Sequence, residues 1–155
     1  MKQLVDLLIK NKITISSVES FTVGKFASTL GAIPGVSMVY KGSLVTYQNQ
    51  TKERLLNIPS ADLEKYGAIS KEIASMMCVY GKQIIGSELC VSFTGNAGPE
   101  PMEGKPVGTI YIGIIYQQKV RVYHLSLDGS RGSIQEEAIV FACKKIKELI
   151  EGNEN

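Results

Sequence analysis

Ser20 stands in the segment Ser17-Val18-Glu19-Ser20-Phe21-Thr22-Val23-Gly24. Before it, Ile13-Thr14-Ile15-Ser16 alternates apolar and polar, as a half-buried strand does. After it, Val23 to Leu30 has the apolar spacing of a helix. Ser20 is therefore expected at a strand-to-helix turn, where free backbone N–H groups and the positive end of a helix dipole meet. A nucleophile or a bound anion suits such a place, and so does a plain helix cap made by Ser20 or Thr22. A second segment, Thr46-Tyr47-Gln48-Asn49-Gln50-Thr51-Lys52, places an amine about one turn into a helix that follows a strand ending at Tyr47. The same residues also read as a packing tyrosine, a capping Asn49 and a solvated lysine. In the third, Thr94-Gly95-Asn96-Ala97-Gly98-Pro99, two glycines let the backbone approach a ligand and aim N–H groups at a carboxylate or phosphate. It matches neither dinucleotide-binding nor P-loop spacing, and an irregular structural loop fits it equally well.

The elements that would position these loops read as follows. Residues 1–11 form an amphipathic helix, 13–19 a strand and 22–31 a helix stopped by Gly31-Ala32-Ile33-Pro34-Gly35. Met38-Val39-Tyr40 and Ser43 to Tyr47 are strand-like, 50–56 is a short helix, and Pro59-Ser60-Ala61-Asp62 opens another with Ser60 as its cap. Ser70 caps a helix running to about Ile85, with Gly86 as its stop. Glu88 to Thr94 is an apolar strand, Gly108–Gln117 and Lys119–Leu127 form a hairpin, and a helix from about Ser133 to Glu151 closes the chain. Strands alternating with helices, then a late hairpin, predict an α/β fold, a three-layer α/β/α sandwich on a mixed β-sheet, over residues 1–155 as a single domain. Such sheets place ligands beyond the carboxyl ends of their strands, where all three loops lie.

With 155 residues, 44% of them hydrophobic and 21% charged, the chain has the balance of a globular protein with a real core. Lys plus Arg number 17 against 15 acidic residues, a net charge of +2, which gives no basis for nucleic-acid or membrane binding. Cys78, Cys90 and Cys143 lie far apart beside a single His124, a pattern without metal-site spacing and one that reads as buried free thiols. Asp6 and Lys10 interrupt the apolar N-terminal run, and a cytoplasmic location is expected.

At the three loops together the sequence resembles the C-terminal domain family of CinA, the nicotinamide-nucleotide amidases. Glu19-Ser20-Phe21-Thr22-Val23-Gly24 stands where that family has E-S-C-T-G-G, and Tyr47 to Lys52 where it has Y-S-N-x-x-K. Tyr66-Gly67-Ala68-Ile69-Ser70 fits its H-G-A-V-S, Thr94 to Pro99 its T-G-I-A-G-P, and Lys105-Pro106-Val107-Gly108-Thr109 its K-P-V-G-T. The resemblance runs from about residue 3 to residue 150 and implies the stand-alone amidase form, without the extra N-terminal domain of longer members.

What it implies is hydrolysis of the carboxamide of nicotinamide mononucleotide to nicotinate mononucleotide and ammonia, with a small-molecule nucleotide as substrate, no cofactor or metal, and a homodimer as the assembly. Amide hydrolysis needs a nucleophile, a base and donors for the oxyanion. The lone His124 falls in the predicted hairpin, which argues against a Ser-His-Asp arrangement. The expected catalytic residues are Ser20 as nucleophile, Lys52 as base and Tyr47 to orient Lys52 or relay a proton. Phe21, Thr22, Gly24, Asn49, Thr94, Gly95, Asn96, Ala97, Gly98 and Arg131 are the expected substrate-binding residues. Arg131 lies in Gly129-Ser130-Arg131, where the family shows G-D-R, and reads otherwise as an ordinary surface arginine. Phe21 replaces the family's cysteine, Val23 its first glycine, Asn96 an apolar residue, Pro101-Met102 its glycines and Ser130 its aspartate. A β-branched residue does not take positive φ cheaply, so a glycine conformation is not expected at Val23. The alternative is a family member that binds a nucleotide without amidase turnover, or that is retuned to another amide.

Overall fold

A computed structural model describes residues 1–152 of the chain. In chain order the elements are α1 (Lys2–Asn11), β1 (Ile15–Glu19), α2 (Lys25–Gly31), a 3-10 turn (Val36–Met38), β2 (Tyr40–Val45), α3 (Asn49–Leu56), α4 (Ser60–Tyr66), α5 (Lys71–Ile85), β3 (Leu89–Gly95), β4 (Thr109–Tyr116), β5 (Lys119–Ser126) and α6 (Arg131–Glu151). The strands form one five-stranded sheet in the order β2-β1-β3-β4-β5. The pairs β1–β2 and β1–β3 are parallel, whereas β3–β4 and β4–β5 are antiparallel. This is the mixed-sheet α/β/α sandwich that the alternation of elements predicts.

The two faces follow from the period-2 alternation of strand side chains. Ile15, Leu89, Val91, Phe93, Ile110, Ile112 and Ile114 pack with Leu4, Leu8, Phe26, Leu30, Ile134 and Ala138, so α1, α2 and α6 cover one face. Val18, Cys90 and Ile115 point the other way and pack with Leu56, Leu63, Ile73 and Met77 of α3, α4 and α5. Under α5 the sheet carries small residues. Ser92 Oγ donates to the Ala74 carbonyl at 2.6 Å, and Gly113 lies so near that a Cβ there would stand 2.5 Å from the same oxygen.

Several boundaries depart from the sequence reading. Met38 and Val39 are not strand: Val36–Met38 is a 3-10 turn, and a single strand runs Tyr40–Val45, so Tyr47 lies beyond its end. Ser60 is the first residue of α4, which Pro59 precedes without a side-chain cap, whereas Ser70 does cap α5 by accepting from Ile73 N–H at 3.2 Å. Helix α6 begins at Arg131, two residues before the expected start, because the Ser130 hydroxyl accepts from Ser133 N–H and supplies the cap. Helix α2 starts at Lys25, later than expected, and neither Ser20 nor Thr22 caps it. The fully buried Glu19 carboxylate does so from the end of β1, accepting from Phe26 N–H at 3.1 Å and Ala27 N–H at 2.9 Å.

Candidate active site

The three parallel strands bring three loops to one edge. Glu19 is in register with both Val45 and Phe93, so β1, β2 and β3 present their carboxyl ends side by side. Backbone hydrogen bonds continue that alignment into the loops: Ser20 N–H donates to Phe93 O at 2.9 Å, and Thr46 N–H to Glu19 O at 2.8 Å. Beyond these ends opens a cleft of about 520 Å³. Its wall takes Ser20 and Phe21 from the first loop, Tyr47 and Asn49 with Lys52 from the second, Thr94 to Ala97 from the third, and Arg131 from α6. Thr22, Gly24 and Gly98 do not line it.

Ser20 and Lys52, 32 residues apart in sequence, meet in this cleft: Lys52 Nζ lies 3.2 Å from Ser20 Oγ. The lysine is 1% exposed, because α3 turns it inward under the loop. Its amine also donates to Thr46 O at 2.8 Å and Tyr47 O at 3.2 Å. Burial pulls its pKa down from 10.5 to about 8, opposed by the negative charge of Glu103. The two carbonyls match the two N–H groups of a neutral amine, whose lone pair is then left for the Ser20 hydroxyl. Solvated surface lysine is thus not the state of Lys52.

Tyr47 orients Lys52 through its backbone carbonyl and not its ring. The ring is 54% exposed, and its hydroxyl accepts from Arg131 Nη2 at 3.3 Å. Arg131 also donates from Nη1 to Gly98 O at 2.7 Å, tying the second and third loops to the start of α6. Asn96 spends its side chain on its own loop: Oδ1 accepts from Gly98 N–H at 2.8 Å and Nδ2 donates to Glu100 O at 2.9 Å. Gly95 has no room for a side chain, since a Cβ would stand 2.7 Å from Thr109 O. Thr94 Oγ1 donates to Ala68 O at 2.7 Å. His124 is exposed on β5, stacked on Tyr111.

The turn that begins at Ser20 is closed by Val23 N–H donating to Ser20 O at 3.2 Å. The N–H groups of Phe21 and Thr22 find no acceptor among the described residues; of the two residues, Phe21 lines the cleft. The buried Thr22 hydroxyl is likewise without a partner. Val23 holds φ at 50°, against expectation: the conformation of a glycine is kept although a valine occupies the place. Its side chain, 53% exposed, meets no crowded core, and the turn and α2 determine the backbone.

Four cleft or support residues went unassigned in the sequence reading. Glu103 accepts from Ala68 N–H at 2.9 Å and Ile69 N–H at 3.0 Å, pinning the loop before α5, while Lys105 donates to Ile69 O. Met102, Ile69 and Glu103 also line the cleft. Only adjacency to the glycine loop could have signalled Glu103 and Met102.

Comparison with known proteins places this architecture. A relative from Petrotoga mobilis described as a CinA-like protein is 41% identical over 148 residues, 95% of this chain and 37% of that protein. A relative from a Geobacillus species is 40% identical over 97% of this chain, which spans 38% of its length; the chain thus covers well under half of these curated relatives. The crystal structure of a competence-damaged protein (CinA) superfamily protein from Escherichia coli superposes with a TM-score of 0.93 at 27% identity, covering 96% of this chain and 87% of that one. One from Klebsiella pneumoniae gives 0.95 at 22% identity over 97% of this chain and 95% of that one, a likeness of fold. The family model of the CinA C-terminal domain matches residues 1–150, and the chain belongs to that family.

Proposed function

We propose that this domain hydrolyses the carboxamide of nicotinamide mononucleotide to nicotinate mononucleotide and ammonia, with Ser20 as nucleophile and Lys52 as base. The observation that carries the reading is the buried Lys52 amine 3.2 Å from the Ser20 hydroxyl, with its pKa lowered to about 8. A base poised near neutral pH and within hydrogen-bond reach is what general-base activation of a hydroxyl requires.

Neutral Lys52 takes the Ser20 proton as Oγ bonds to the carboxamide carbon, and the oxygen of that carbonyl becomes an oxyanion. The unpaired N–H groups of Phe21 and Thr22 donate hydrogen bonds to it and so stabilise its charge. The Lys52 ammonium returns the proton to the amide nitrogen, the C–N bond breaks, and ammonia leaves an ester on Ser20. Water, deprotonated by Lys52, cleaves that ester and regenerates the hydroxyl. Carboxamide and water are consumed, and acid and ammonia are formed. Arg131 and the Gly95–Ala97 stretch, which line the cleft, would bind the ribose phosphate, with the exposed Tyr47 ring beside them.

A second reading, nucleotide binding without turnover or action on a different amide, is favoured by one feature. Met102, half-exposed, enters the cleft wall where the resemblance has glycine. The deciding experiment measures ammonia and nicotinate mononucleotide from the purified protein, with Ser20→Ala alongside. Product from the wild type and none from the variant supports the hydrolase. Thermal stabilisation by the nucleotide without ammonia supports the second reading.

A further inference from the structure

Resting on the amide hydrolysis proposed above, we propose that Gln135 is a positioning residue that holds the Phe21 carbonyl and thereby aims the Thr22 N–H at the oxyanion. Gln135 Nε2 donates to Phe21 O at 2.7 Å, reaching across 114 residues of sequence from α6 to the nucleophile turn. In that turn the hydrogen bond from Val23 N–H to Ser20 O makes Phe21–Thr22 the central peptide. The peptides on either side are held by backbone bonds: Ser20 O accepts from Val23 N–H, and Thr22 O from Lys25 N–H at 2.9 Å. Among the described residues, the central peptide has one tether, Gln135.

Rotation of that central peptide is what interconverts type I and type II turns. Thr22 does not take the positive φ that a type II turn needs. A trans peptide is planar, with C=O and N–H on opposite edges, so a donor that holds the Phe21 oxygen also sets where the Thr22 N–H points. Phe21 lines the cleft beside Ser20, whereas Gln135 and Thr22 do not, so the peptide between Phe21 and Thr22 stands at the cleft margin with Gln135 on its carbonyl edge. Holding the carbonyl on the α6 side leaves the N–H on the opposite edge of the peptide, free to meet the oxyanion.

The donor is itself on a fixed element. Ser130 caps α6, and Arg131, one helical turn before Gln135 and on the same face, is bonded to Gly98 O. Lys25 reaches from α2 to Glu136 at 2.8 Å and to Gly132 O at 3.5 Å, holding the two helices together. One face of the first turns of α6 thus sets both the third loop and the nucleophile turn.

The test compares Gln135→Met, which keeps the length and removes the donor, Gln135→Glu, which sets an acceptor against the carbonyl, and Gln135→Lys, which restores a donor. Kinetics with nicotinamide mononucleotide are read together with the Thr22 amide signal in 1H–15N spectra of the folded proteins. Loss of an oxyanion donor typically costs a hundredfold or more in kcat, and a donor left misaimed for part of the time about tenfold to a hundredfold. Gln135→Met is expected to lower kcat by that amount with KM within about twofold, an unmoved acid limb of the pH profile, and a broadened or doubled Thr22 signal. Gln135→Lys is expected to recover most of the loss. An unchanged kcat in Gln135→Met, or a loss that moves the acid limb, overturns the assignment. If the wild type releases no ammonia, the hydrolase reading fails, and the Thr22 signal decides alone: unperturbed in Gln135→Met, it overturns the positioning role; perturbed, it supports it.

Discussion

At the scale of the residue, the site turns on a lysine that is almost wholly buried in the wall of the cleft. A general base must be neutral to act, so kcat/KM for the proposed amide is expected to rise with pH and reach half its plateau near pH 8, the lowered value of Lys52. Glu103 works against burial by favouring the ammonium. Glu103→Gln removes that charge, so Lys52 loses its proton at lower pH and the acid limb moves down the pH scale. An acid limb that stays put in a pH–rate profile of the variant would separate Glu103 from the base. Val23 carries a different kind of cost. A non-glycine residue in the left-handed region is strained by roughly 1–2 kcal/mol, part of which Val23→Gly gives back through the looser unfolded chain. The variant is expected to gain about 0.5–1 kcal/mol in a urea unfolding titration, and a loss of stability would show that the valine side chain makes up for its backbone.

At the scale of the element, α5 and α6 do different work. Helix α5 lies close on the sheet because Ser92, Gly113 and Gly81 leave room for it; a Cβ on Gly81 would run into Val18. Gly113→Ala sets a methyl group 2.5 Å from Ala74 O and 2.6 Å from Ser92 Oγ. Overpacking of this kind costs about 1–3 kcal/mol, or roughly 5 °C in Tm for a domain of this size, while turnover below the transition is expected to stay within about twofold. A calorimetric Tm equal to that of the wild type would mean that α5 can shift without cost. Helix α6 carries less of its meaning in ion pairs. Its Lys25–Glu136 bridge is largely solvent-facing and is worth at most about 1 kcal/mol. What α6 contributes is direction, through Arg131 and Gln135.

At the scale of the whole molecule, the sheet divides the interior into two apolar layers, and the thiols report on both. Cys143 lies with α1 and α6, while Cys78 and Cys90 lie between α5 and the sheet. Burial raises all three thiol pKa values, that of Cys90 to about 12. A thiol-reactive dye is therefore expected to label none of them in the native protein and all three together across the denaturation midpoint. Labelling of Cys143 alone at low denaturant would show that the α1–α6 layer opens separately. Among the described residues no helix is long and apolar enough to cross a membrane.

The alternation of apolar and polar residues determined the sandwich, the hairpin and the Ser70 cap, because those signals act within a few residues of each other. The three loops could be named for the same reason: Ser20, Lys52 and the Thr94–Pro99 segment each follow an apolar run that reads as a strand, and Arg131 precedes one that reads as a helix. Their neighbours misled where the partner was distant. The cap of α2 is a carboxylate from the preceding strand, and Tyr47 works through a carbonyl that no side-chain pattern records. The tertiary structure alone decided that Lys52 is buried against Ser20, since parallel pairing of β1 with β2 and β3 is what sets their carboxyl ends in one row. It decided equally that Glu103 shares the cleft with Lys52 and that Gln135 reaches Phe21. Contacts between residues tens to a hundred positions apart depend on register and on the seating of helices, and those follow from the packing of the whole core.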